Sequence, residues 1–380
     1  MARSPGERPS HCSMRIRTRR RLTILIGVLA VIAAVAVIVE LRRHAPPEPA
    51  RLLPTADAFA YINLQWIRRF GAIKQLPPVS HDPDYQTFIQ QTGIEFERDL
   101  NRAAFAVHYP TTWGGITQAA KSDEPRFSEV FEGNIHRDKL VPYLQSAAKS
   151  VDNYRSSDIF NIPLEGRTLR VAMLGVDTLA VSNSDDPGVI RGMIDRSRKL
   201  ASPFAGPALL RHYYKEVPLV SLAWGIVRVT GSDTRFPLSN GIWSLLFQKP
   251  STVVLSARYL TALHLRAEAI TDTEDTAKHM ADQATTILNI FRGAEISSGS
   301  SGSDNDVKEF FDSLKVQQHD SRAVLTAVLS PGFIRKIVAE APPELVPPPE
   351  PPTPAPPPPS KPKKRRGKPK GPKDIAPAPQ

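Results

Sequence analysis

Hydrophobic positions fall into three regimes along this chain. From Leu22 to Val39 they are continuous, LTILIGVLAVIAAVAVIV, eighteen residues in which Thr23 is the only polar member. Over residues 52–340 they come in short runs separated by polar and turn-forming residues. From residue 341 onward they give way to proline and lysine.

In the middle regime, runs rich in β-branched and aromatic residues predict strands. They are AFAYINL (Ala58–Leu64), AAFAVHY (Ala103–Tyr109), FSEVFEG (Phe127–Gly133), TLRVAML (Thr168–Leu174), TLAVS (Thr178–Ser182), STVVLSA (Ser251–Ala257), LHLRAEAI (Leu263–Ile270) and AVLTAVL (Ala323–Leu329). Helical spacing follows several of them. His136–Lys149 is predicted as a helix capped by Asn134. Thr273–Phe291 has acids in its first turn and aligns Met280, Ala284, Ile287, Leu288 and Phe291 into a stripe expected to be buried. Ser330 caps a last helix with Pro331 at its first position.

Two stretches share an order. Thr168–Ser182 reads as a hairpin turning at Gly175 and is followed by a helix over Asp186–Arg198. Ser251–Ile270 reads as a hairpin followed by the helix to Phe291. The expected fold class is therefore α+β, an antiparallel sheet with repeated strand-strand-helix units. SSGSSGSDN (Ser297–Asn305) reads as a flexible loop before the last strand.

The apolar run fixes the expected geography. As a helix it is about 27 Å long, close to the hydrocarbon thickness of a bilayer. Arg15, Arg17, Arg19, Arg20 and Arg21 precede it, whereas Glu40, Arg42 and Arg43 follow. The heavier positive flank predicts residues 1–21 inside the cytoplasm, a transmembrane helix over 22–39, a linker over 40–51, and everything later outside. A cleaved signal peptide is the competing reading, but Ala45 with Arg43 two places earlier makes a poor cleavage site, so a retained anchor is favoured. TRRRL matches a twin-arginine signal only loosely. Gly27, Ala30 and Ala34 are small residues of the kind common in any membrane helix.

Charge changes the picture of partners. The formal net charge is +11, but residues 1–43 hold nine Arg against two Glu, and residues 341–380 hold six Lys and two Arg against three acids. The domain between is almost neutral, which argues against a basic groove for nucleic acid. The only cysteine, Cys12, precedes the apolar run, so no disulfide forms within the domain. No N-x-S/T sequon occurs, and a bacterial inner-membrane protein with its domain and C-terminus outside is the simplest expectation.

Residues 341–360 are expected to form polyproline II and could hold the following basic cluster roughly 60 Å from the domain. That cluster comprises Lys361, Lys363, Lys364, Arg365, Arg366, Lys368, Lys370 and Lys373. Outside the membrane it would meet anionic wall polymer, lipid head groups or acidic protein surfaces, not nucleic acid. An inert tail is the equal alternative.

Motifs for chemistry are fragmentary. SAAK (Ser146–Lys149) and SDN (Ser303–Asn305) echo penicillin-binding proteins, but the first falls at a helix end and no K-T-G strand follows. HRD (His136–Asp138) lacks the other parts of a kinase loop. HDPD (His81–Asp84) reads as a turn and helix cap rather than a metal site. His279 with Asp275 and Asp282 reads as a solvated helix face, and Trp224 and Trp243 read as core. No residue is assigned as catalytic, cofactor-binding or metal-ligating.

LLPTADAFAYINL, GIEFERDLNRAAFAVHY, FEGNIHRDKLVPYL and AVLTAVLSPGFIRKIV, set after an N-terminal anchor, resemble a group of uncharacterised bacterial envelope proteins of the domain-of-unknown-function type. The resemblance implies a membrane-tethered domain and carries no catalytic residues. A non-enzymatic interaction or scaffold module with an unknown protein partner is expected. An extracytoplasmic hydrolase without a recognisable motif and a lipid carrier are the alternatives.

Overall fold

The computed structural model describes residues 45–69, 81–108, 125–164, 166–198, 206–229, 246–297 and 305–339, with Ala33 besides. The apolar run 22–39, Trp243 and the basic cluster lie outside the described residues. Among the described residues no helix is long and apolar enough to cross a membrane.

Twelve strands form one sheet: β1 (Ala58–Asn63), β2 (Leu100–His108), β3 (Arg126–Gly133), β4 (Ser150–Tyr154), β5 (Ser157–Leu164), β6 (Arg167–Met173), β7 (Thr178–Ser182), β8 (Ala223–Val229), β9 (Ser251–Tyr259), β10 (Leu263–Ile270), β11 (Lys315–His319) and β12 (Arg322–Leu329). Their spatial order is β11-β12-β10-β9-β8-β1-β2-β3-β7-β6-β5-β4, and every pairing is antiparallel. The helices are α1 (Glu48–Leu52), α2 (Leu64–Arg69), α3 (Pro83–Thr92), α4 (Phe96–Asp99), α5 (Arg137–Ala147), α6 (Gly188–Arg198), α7 (Ala208–Tyr213), α8 (Glu274–Ser297), α9 (Asn305–Ser313) and α10 (Pro331–Ala339). The molecule is α+β with a large antiparallel sheet.

The connections run through the same moves twice. A three-strand meander (β1-β2-β3, then β8-β9-β10) leads into a helix (α5, then α8). The chain returns by a second meander (β4 to β7, then β11-β12) whose last strand pairs with the third (β7 on β3, β12 on β10). A helix follows each, α6 and α10. By position, β9-β10-α8 therefore matches β2-β3-α5, whereas the sequence order had suggested β6-β7-α6. The two first strands, β1 and β8, pair at the centre.

Local chemistry explains several joints. Gly133 is required because a Cβ there would lie 2.3 Å from the Asp99 carbonyl oxygen. At that corner its N–H donates to the carbonyl of Asp177 (2.9 Å), and the Asn134 N–H donates to that of Asp99 (2.8 Å). Asn134 is thereby drawn away from capping α5, which starts at Arg137 without a side-chain cap. The β4–β5 turn places Arg155 and Ser156 both at positive φ, the pattern that matches hairpin twist. The outermost strands, SVDNY and KVQQH, are five residues each and mostly polar, which protects the sheet ends from pairing with other chains.

Alternation divides the core in two. One face carries Phe59, Tyr61, Ala104, Ala106, Trp224 and Ile226, and α1, α6 and α7 cover it through Leu52, Ile190, Met193 and Leu210. Among the described residues the opposite face is covered only toward its ends. Leu140 and Leu144 of α5, with Ile94, pack on Phe160, Val171 and Met173 at one end. Met280 and Ala281 of α8, with Phe247, pack on Val253, Ala269 and Ala323 at the other. The α8 stripe grades from buried Met280 through half-buried Ala284, Ile287 and Leu288 to Phe291, which is 50% exposed.

Candidate functional site

On the covered face Ser128 and Ser182 are cross-strand partners, and His108, whose own partner is Arg126, reaches Ser128 diagonally. His108 ends β2, and its Nε2 lies 3.2 Å from the Ser128 Oγ, which lies 3.0 Å from the Ser182 Oγ. These three residues stand side by side on β2, β3 and β7, and all are buried. Burial lowers the His108 pKa, the charge of Asp57 opposing it. Serine, histidine and aspartate thus adjoin, but Ser128 has no exposed surface, so no substrate reaches its hydroxyl.

A second network lies on β10 and β12. Glu268 is 2% exposed and accepts from Arg266 Nη2 (2.6 Å) and Arg322 Nη1 (2.7 Å). Arg322 also donates to Glu216 (2.6 Å). The Glu216 carboxyl is held below its ordinary pKa, chiefly by that hydrogen bond. Charge is matched to charge, the arrangement that a buried carboxylate requires.

The HDPD segment divides. Asp82 caps α3, accepting from the Tyr85 N–H at 2.7 Å. His81 instead meets Glu95 and Glu97, whose ligand atoms and its own all lie within 4.8 Å of one another. Sequence spacing did not foretell this, because the three come together only through the α3–α4 corner. Each carboxylate has a donor: Tyr85 Oη to Glu97 (2.8 Å) and Arg98 Nη1 to Glu95 (2.8 Å). The donor set suits a divalent cation, but Arg98 already supplies positive charge at Glu95.

Two clefts among the described residues take in motif residues. The larger, about 620 Å³, lies between α5 and the β5–β6 strands, with Val141, Phe160 and Met173 inside and Arg137, Asp138 and Asp158 among its polar lining. HRD therefore has two of its members on a cleft wall. His279 and Asp275 line a smaller cleft of about 150 Å³ with Lys249 and Met280. Ser146 sits in the last turn of α5 with its hydroxyl on the Tyr143 carbonyl (2.7 Å); of SDN only Asn305, which begins α9, is among the described residues. Trp224 is buried and stacks with Tyr61 at 5.5 Å.

An apolar surface with exposed members lies in the middle of the opposite face, between the pads made by α5 and α8. One cross-strand row there reads Glu129, Phe105, Ala60, Gly225, Leu255. Its centre holds only the exposed methyl group of Ala60 and Gly225, which is buried beside the Leu255 side chain, so the row is a shallow trough. A Cβ on Gly225 would meet nothing nearer than 3.6 Å, so it is not packing that excludes a side chain there. Leu255 is 40% exposed and Ala60 is exposed. At the β3 end, Glu129 is flanked along its strand by Phe127 and Phe131 and across it by Phe105 and Val181. Phe105 and Phe131 meet edge to face, 5.9 Å apart at 82°. Burial raises the Glu129 pKa, and no charged neighbour contributes.

No protein-family model matches the chain, and no curated protein sequence does. Among solved structures, the chain is similar to TP0453 in its crystal forms I and III. The identities are 10% and 11%, the matches cover 78% and 77% of this chain and 98% of TP0453, and both TM-scores are 0.40.

Proposed function

We propose that this chain is a single-pass, membrane-anchored envelope protein whose domain presents an interaction surface rather than a catalytic centre. Residues 22–39 would form the anchor, with the N-terminus in the cytoplasm and the domain outside a bacterial inner membrane. Residues 341–380 would be a disordered basic arm for anionic wall polymer or lipid head groups. The domain itself would be two halves of repeated strand-strand-helix units joined along β1 and β8.

The observation that carries this reading is the uncovered middle of one sheet face. A twelve-stranded sheet buries one face under α1, α6 and α7, while among the described residues no helix covers the centre of the other, where Ala60 and Leu255 are exposed and Phe105 is half-buried. Exposed apolar surface rimmed by packed helices marks an interaction site. The titratable groups on the covered face, by contrast, are engaged with each other, which supports a holding role for them.

Two experiments test the proposal. Reporters active only outside the cytoplasm, fused at Ala50 and at Gln380, are expected to be active at both sites. Activity at neither, with intact fusions, would overturn the geography. Full-length protein is expected to sediment with purified wall polymer, and the chain lacking residues 341–380 to remain in solution. Equal sedimentation of both would remove the role given to the tail.

The apolar interior of the larger cleft favours a second reading, a carrier of lipid. Mass spectrometry of material that copurifies with the full chain decides it: a stoichiometric lipid supports a carrier, and its absence leaves the surface reading.

A further inference from the structure

We infer that the trough on the open face is a binding site for an amphipathic cation, with its ammonium group at Glu129 and its apolar part along Ala60, Gly225 and Leu255. The inference stands on the trough alone and not on where the protein sits.

The chemistry follows from what surrounds the carboxyl. Glu129 projects from β3 on the same face as Phe127 and Phe131, two residues before and after it, and directly opposite Phe105. Side chains opposite one another across an antiparallel pair sit about 5 Å apart at Cβ. The carboxyl is therefore ringed by three aromatic side chains, two of them forming a right-angled corner. Phe127, 39% exposed, leaves the ring open to solvent. Other acids of low exposure on this sheet have a named donor, Glu268 among them. Around Glu129 no basic side chain is present among the described residues: Arg102 and Glu132 pair with each other on the opposite face.

A carboxylate in such a place is partly withdrawn from water and has no counter-charge among the described residues, an arrangement unfavourable to the fold itself. A cation that brings its own positive charge to the aromatic faces relieves it, since aromatic rings and a carboxylate together favour ammonium over any neutral or anionic group. The row then supplies the rest of the ligand's contact. From β3 to β9 is four strand spacings, about 19 Å, enough for an alkyl chain laid across the small residues. The shared chemistry is a primary ammonium on an apolar body, which a free alkylamine or an aminolipid could each supply.

The test uses the full chain in nonionic detergent and ligand-observed NMR with n-hexylammonium, dihexanoyl phosphatidylethanolamine and hexanoate. Glu129→Gln keeps the shape and removes the charge, and in the same micelles it subtracts partitioning into detergent. Hexylammonium is expected to bind the native chain about tenfold more tightly than the variant, and hexanoate to bind neither. Binding of the aminolipid with the same dependence on Glu129 would identify a membrane source, and binding of hexylammonium alone a free amine. Equal binding to both chains, or binding of hexanoate as strong as that of hexylammonium, would overturn the site. A measurement that needs no variant is the pH profile of the native chain. Hexylammonium keeps its charge throughout, so its binding should vanish as the carboxyl takes up a proton at acid pH, and a flat profile would overturn the site equally.

Discussion

Glu129 and Glu268 are both glutamates in the interior of strands of one sheet, yet their surroundings are opposite. Glu268 lies on the covered face, almost without exposure, and two arginines neutralise it. Glu129 lies on the open face, ringed by phenylalanines, with burial raising its pKa and no opposing charge. The first carboxylate is a part of the core's own construction. The second is left for something from outside, and the contrast teaches that pairing, not burial, separates a structural acid from an available one.

The strongest way to break the comparison is Arg322→Met. Glu268 and Glu216 then lose their shared donor, with only Arg266 left on Glu268, and urea unfolding should show a loss of about 2–3 kcal/mol. A loss below a few tenths would mean that Glu268 is no more held than Glu129. Next in size is a pH effect at His108, another buried titratable group of the covered face. Its folded pKa lies below the ordinary 6.5, so the unfolded chain binds the proton first. Stability should fall as pH drops below about 6.5, by about 1 kcal/mol at pH 5.5, and His108→Asn should flatten that limb.

Glu129→Gln sharpens the contrast from the other side. A raised folded pKa means that the ionised form weakens the fold at neutral pH. The variant should therefore be more stable at pH 7 by about 0.5–1 kcal/mol, a gain that shrinks as pH falls through the folded pKa, which lies above 4.5, and is absent below 4.5. Destabilisation at pH 7 would show a hidden partner. The smallest effect is expected at His81, Glu95 and Glu97. With Arg98 and Tyr85 already on the carboxylates, manganese or zinc at millimolar concentration should move the melting temperature by less than about 1 °C. A larger rise would turn that corner into a cation site.

Much of the sheet was legible because its inner strands carry β-branched residues in period two. All eight strand windows coincide with observed strands, β1 at Ala58–Asn63 and β12 at Arg322–Leu329 among them. The strands that escaped are those whose physics differs. KVQQH and SVDNY are edges and therefore polar, and SDIFNIPL carries Pro163, which in sequence speaks against a strand. AWGIV was read as core around Trp224, and its glycine concealed a central strand. Of the sites, the corner at His81 depends on a chain reversal that no spacing announces. The trough had one sign, since FSEVF places Phe127, Glu129 and Phe131 on one face of a strand. Ala60 and Gly225 joined that row only through pairings across the centre of the sheet.

The seam between β1 and β8 bears on how the chain is made. β1 forms within the first part of the domain to be synthesised, but its outer edge stays unpaired until residues 223–229 have followed. Until then Phe59 and Tyr61 lack Ile226 and Trp224 beside them, and a completed first half offers an open central edge to any other newly made copy. Such an edge invites exchange between molecules, β8 of one chain adding to β1 of another, with every local contact unchanged. Delay in delivering the second half, by slow translation, would therefore yield interlocked dimers rather than unfolded chains.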